Sequence, residues 1–111
     1  MVLLDCTNEI SRTDAMADRL EAAPSRKLVI DHHILPEEHW WDAAFVDTSA
    51  SATGLLVYRL AQELDVPLDE AAARLGVFTS IVADTGWFKY SNTDAETTRR
   101  RGTGGRSWNP T

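Results

Sequence analysis

The sequence predicts an α/β fold, a parallel sheet flanked by helices. Two short apolar runs, Val2-Leu3-Leu4 and Leu28-Val29-Ile30, are separated by a segment with helical spacing, the strand, helix, strand order of a parallel βαβ unit. Each run ends on a carboxylate, Asp5 and Asp31. In an open α/β sheet ligands bind outside the carboxyl ends of the strands, so these two residues are expected at one crevice.

The elements follow in order. Residues 1–5 form the first strand, and residues 13–23 a helix with Ala15, Met16, Leu20 and Ala23 at helical spacing. Pro24 stops that helix. Residues 27–30 form the second strand, and after a loop over 34–42 a third is expected at Ala43–Val46. Residues 49–53 supply small hydroxyl side chains suited to opening a helix. That helix, over 52–64, places Leu56, Leu60 and Leu64 on one stripe and ends before Val66-Pro67. The next, over 69–83, is alanine-rich and increasingly apolar, which predicts burial. "SNTDAETTR" reads as another helix start, with Asn92 or Thr93 as the cap and Glu96 in the first turn. Residues 99–111, "RRRGTGGRSWNPT", abandon the pattern for arginine and glycine. They are expected to be disordered or to follow a frameshift near Arg99 or Arg100, the other frame continuing the helix. The organisation is thus one domain over 1–98 and a basic tail.

With 111 residues and 43% hydrophobic content the chain can bury one modest core. No window approaches the roughly 18 consecutive apolar residues of a membrane span, and no signal peptide opens the sequence, so a cytoplasmic site is expected. The single cysteine, Cys6, excludes an internal disulfide and a thiolate zinc cage, so any metal must be held by oxygen and imidazole. The net charge of −6 is uneven: residues 1–98 carry 17 acids against 7 bases, and the tail carries four arginines. An acidic body excludes broad phosphate-backbone binding through surface charge, and leaves a metal ion as the mediator of any phosphate contact.

The chemistry concentrates at Asp31-His32-His33, three adjacent polar groups directly behind an apolar strand. An unpartnered charge there would be costly. Carboxylate and imidazole together suit Mn²⁺, Mg²⁺ or Zn²⁺, and a bridging carboxylate lets two ions sit about 3.5–4 Å apart to clamp a phosphoryl group. Asp5 on its own reads as a loop start. Asp84 closes a third apolar stretch, Ile81-Val82-Ala83, but Asp84-Thr85-Gly86 reads equally as a helix exit into a turn. His39 reads as surface or packing, and Trp40-Trp41 as packing against loop edges rather than a base-stacking pair.

Three stretches, "VIDHH" at 29–33, "FVDTSASATG" at 45–54 and "ADTGWFKYSNTDAET" at 83–97, together resemble the DHH family of phosphoesterases. The likeness runs over about residues 2–98 and is nearest to the branch of small oligoribonucleases and phosphoadenosine phosphate phosphatases. The resemblance implies that Asp5 bridges two metal ions, usually manganese, and that His32 ligates a metal while Asp31 orients the site. It further implies that His33 faces substrate phosphate, that Asp84 is a metal-binding aspartate, and that residues 88–93 form a loop beside it. The implied reaction is hydrolysis of short oligonucleotides or nucleotide phosphates by metal-activated water, without a covalent intermediate. The family's first motif, a histidine and paired aspartates, is expected several dozen residues before Asp5, and a substrate-holding second domain after Thr98. The expectation is therefore an incomplete DHH-type catalytic domain, an internal piece of a two-domain enzyme with impaired activity. The alternative is a non-catalytic α/β remnant that binds one divalent metal or a protein partner, including a homodimer through an exposed sheet edge.

Overall fold

The protein is represented by a computed structural model that describes residues 1–6, 13 and 15–98. The tail over 99–111, with the frameshift expected there, lies outside the described residues. The chain divides into two compact units, one over Met1–Thr48 and one from Ser49 on.

In the first unit β1 (Val2–Leu4), α1 (Ala17–Ala22), β2 (Leu28–Asp31) and β3 (Ala43–Val46) follow in chain order. The strands form a sheet of order β1-β2-β3, and both pairs are parallel, as the apolar runs predict. Leu3 pairs with Val29 and Leu4 with Ile30, while Ile30 pairs with Phe45 and Asp31 with Val46. The central strand β2 carries the continuous apolar run and is the most buried. β1 alternates instead, with Leu3 inward and Val2 and Leu4 exposed. Leu3, Cys6 and Val29 form the core of this unit, and Leu20, Trp40 and Trp41 pack against it. The tryptophan pair is thus used for packing, as the sequence suggests.

The helix expected over 13–23 is confined to Ala17–Ala22 and buries no residue fully. It stops where Pro24 requires: Ala23 is extended, at φ −61 and ψ 132, because the proline ring disfavours helical geometry in the residue before it.

The second unit contains α2 (Thr53–Glu63) and α3 (Ala71–Asp84), then a helical turn over 95–98. The hydroxyls at 49–53 do not cap α2. Its N-cap is Ala52, without a side-chain bond, and the Gly54 amide donates instead to Ser80 Oγ on α3 at 3.0 Å. A side chain from another helix therefore satisfies one of the orphan amides that every helix start leaves. The leucine stripe also fades: Leu56 is buried, but Leu64 is exposed because it is the C-cap, beyond the last helical turn. α3 departs from expectation in the same sense. Only Ile81 and Val82 are buried, whereas Ala71, Ala72 and Leu75 are exposed. Alanine-rich turns form by intrinsic propensity and need no partner face.

Both helices end in the same way. The Val66 amide bonds to the Ala61 carbonyl and that of Asp65 to Gln62; the Trp87 amide bonds to Val82 and that of Gly86 to Ala83. These are paired Schellman bonds around a left-handed residue, Asp65 at φ 51 and Gly86 at φ 54. The last helical turn is capped by Asp94, whose Oδ1 accepts from the Thr97 amide at 2.7 Å, rather than by Asn92 or Thr93. Asn92 instead donates to the carbonyls of Asp84 and Ser51.

Candidate metal centre

Parallel register creates the site. Neighbouring strands lie about 4.8 Å apart, so residues that follow paired positions emerge side by side at one sheet end. Leu4 pairs with Ile30, and the Asp5 amide donates to the Ile30 carbonyl at 3.0 Å, which brings Asp5 beside Asp31. Asp5 leaves the strand with φ 62, a left-handed conformation that aspartate tolerates better than most residues. The chain thereby turns away while the carboxylate stays at the strand end.

Asp5, Asp31, His32 and His33 each offer one ligand atom, and these atoms lie within 4.8 Å of one another. Asp5 Oδ1 is 3.6 Å from His32 Nε2 and 3.6 Å from His33 Nδ1. The two imidazoles meet edge to face, with centroids 4.4 Å apart. Asp31 is fully buried, and its Oδ1 accepts three bonds: from the His32 amide at 2.7 Å, from the His33 amide at 3.1 Å and from His33 Nδ1 at 2.6 Å. The burial cost of this carboxylate is thus offset locally, by donors from the two residues that follow it.

That arrangement assigns a tautomer. An ionised carboxylate is an acceptor only, so His33 carries a proton on Nδ1, and the lone pair of Nε2 is left for a cation or a hydrogen-bond donor. The donor set, carboxylate oxygen and imidazole nitrogen, fits a divalent cation. Within it Asp31 bonds the backbone amides of both histidines and the ring of His33.

Asp84 is the last residue of α3, in the second unit, where its carbonyl accepts from Asn92 Nδ2 at 2.9 Å. His39 is exposed and sits beside the Trp41 ring, with centroids 5.4 Å apart. Sequence reasoning passed over Asp47, which follows β3 as Asp5 follows β1, its amide donating to the Asp31 carbonyl at 3.3 Å. The signal was present: an acidic residue directly after the third apolar strand.

No family model matches the chain. Two curated bacterial proteins do. A "probable bifunctional oligoribonuclease and PAP phosphatase NrnA" of Streptococcus mutans is 38% identical over 68 residues, which is 61% of this chain and 21% of that protein. The "bifunctional oligoribonuclease and PAP phosphatase NrnA" of Bacillus subtilis is 30% identical over 105 residues, 92% of this chain and 32% of that protein. Among solved structures, an exopolyphosphatase-related protein from Bacteroides fragilis superposes with a TM-score of 0.79 at 29% identity, covering 90% of this chain and 30% of that one. The chain belongs to the DHH family of phosphoesterases. It spans between a fifth and a third of the length of the DHH relatives it matches. The Asp31-His32-His33 triplet that gives the family its name converges with Asp5 in the first unit. Among the described residues no helix is long and apolar enough to cross a membrane.

Proposed function

We propose that this chain forms the metal-binding part of a cytoplasmic phosphoesterase that hydrolyses short oligonucleotides or nucleotide phosphates. The observation that carries the reading is the convergence of carboxylate and imidazole donors at the ends of β1 and β2. The names of the two curated relatives, oligoribonuclease and PAP phosphatase, support a nucleotide substrate. Asp5 and His32 hold the cation, and Mn²⁺ or Mg²⁺ suits them. A bound divalent cation supplies polarisation of a phosphoryl oxygen and acidifies water. The chain's own residues do the rest. Asp31 holds His33 through Nδ1, so that Nε2, when protonated, donates to a phosphoryl oxygen on which charge develops.

One observation favours a second reading, a non-catalytic chain that holds a single ion. The four residues that converge, Asp5, Asp31, His32 and His33, offer one ligand atom each, a set sized for one ion. A hydrolysis assay with Mn²⁺ on a ribodinucleotide and on phosphoadenosine phosphate separates the two. Turnover abolished by His32→Ala supports the enzyme. Absence of turnover, with calorimetric binding of one ion per chain, supports the second reading.

A further inference from the structure

The loop that follows Asp84 carries aromatic surface that neither the packing nor the metal cluster uses. Trp87 is 71% exposed and Tyr90 is 62% exposed, while Phe88 between them is half-buried and lies against Phe78 of α3, centroids 6.4 Å apart. Isolated exposed apolar residues are ordinary. Two large rings held outward on one rigid turn are less so.

The turn is rigid because Thr85 organises it. Thr85 is fully buried; its hydroxyl donates to the Ile81 carbonyl at 2.6 Å and accepts from the Phe88 amide at 3.1 Å. Its carbonyl accepts from the amides of both Lys89 and Tyr90. Gly86, Trp87 and Phe88 are left-handed in succession, at φ 54, 59 and 64. Trp87 and Phe88 each incur about 1–2 kcal/mol in that region, so the surrounding bonds hold an unfavourable backbone in place. Glycine at 86 has a second use: a Cβ there would fall inside the Tyr90 ring, so the ring lies directly against the backbone. Tyr90 is thereby fixed on one side and open to solvent on the other.

A hydrophobic staple for the helix end would also place an apolar residue at 87, but it would use the ring to cover the last turn of α3. An indole that is 71% exposed covers little. Between the two in sequence comes Lys89, the only base between Arg74 and Arg99 in an acidic body. Aromatic faces interleaved with a cation match single-stranded nucleic acid, which presents flat bases on a phosphate backbone.

We propose that Trp87 and Tyr90 form a stacking platform for the bases of a short single-stranded oligonucleotide, with Lys89 set against its phosphate. This rests on the nucleotide reading of the preceding section and names the feature of the substrate that the loop selects. Stacking on one aromatic ring is worth about 1–3 kcal/mol per base, or about 5- to 150-fold in affinity.

The test is binding without catalysis. The full chain, in EDTA, is titrated with triadenylate and with ribose 5-phosphate, and the indole N–H resonances are followed by NMR. The expected result is that triadenylate shifts the Trp87 indole and ribose 5-phosphate does not. Trp87→Ala and Tyr90→Ala should each weaken triadenylate by about tenfold or more, Trp87→Phe should retain most of the affinity, and Lys89→Gln should flatten its salt dependence. Equal binding of the two probes overturns the proposal, as does unchanged affinity in Trp87→Ala. If Trp87→Ala instead abolishes a self-association seen by sedimentation and leaves triadenylate binding intact, the loop is a protein interface and the proposal fails. Because no metal is present, loss of the hydrolysis reading leaves this result standing, and the converse also holds.

Discussion

At the scale of single residues, the division of labour within Asp31-His32-His33 rests on one oxygen. Asp31 Oδ1 receives three donors, so its removal affects both histidines at once. Asp31→Asn is expected to weaken Mn²⁺ binding by about 10- to 100-fold although Asp31 need not touch the ion, as for other partners that orient a metal-binding histidine. Calorimetry measures the affinity, and ¹⁵N shifts of His33 should report loss of the Nδ1–H tautomer. Unchanged shifts would show that the carboxylate does not set the ring. The triplet was legible in the sequence because three polar groups behind an apolar strand demand partners. Which atom serves which group was not, because that depends on side-chain rotamers.

At the scale of elements, the helix ends are where local rules and structure meet. Asp65 occupies the left-handed position just after the C-cap of α2, which glycine usually fills. Asp65→Gly should raise stability to denaturant by about 1 kcal/mol, read as a higher urea midpoint at unchanged slope. Gly54 is different, because there space and not conformation decides. A Cβ at 54 would lie 2.7 Å from Ser80 Cβ and 3.0 Å from the Val77 carbonyl. Gly54→Ala should therefore destabilise by about 1–3 kcal/mol, with partial recovery in the Gly54→Ala, Ser80→Gly double variant.

The cap at Asp94 adds a pH dependence. The Thr97 amide, and then the Thr97 hydroxyl, hold the Asp94 carboxyl below its ordinary value. A carboxyl lowered on folding contributes stability that is complete above its unfolded pKa, about 3.9, and is lost as pH falls through the folded value. Asp94→Ala should thus cost about 1 kcal/mol at neutral pH, and the gap to the parent should close in strong acid. A gap that persists there would mean the cap acts without its charge.

At the scale of the molecule, ion binding should appear as stability. A ligand that binds only the folded chain stabilises it by about 2.7 kcal/mol at a hundred times its dissociation constant. Mn²⁺ is expected to raise the thermal midpoint of the chain, and His32→Ala to remove that increment while leaving the midpoint without metal close to the parent's. An equal rise in His32→Ala would place the ion elsewhere.

The sequence by itself determined the strands, their parallel order and the aspartates at their ends, because apolar runs and punctuating residues act over a few positions. It determined the family as well, through three motifs in the right order. Tertiary structure decided what depends on contacts distant in sequence. Ser80 and not a local hydroxyl satisfies the start of α2, and Asp5 meets His32 and His33, 27 and 28 positions away, because two strands pair in one register. α3, apolar enough to suggest burial, keeps its first turns exposed. Periodicity reports which face of a helix is apolar, but whether anything covers that face is settled only when the elements pack.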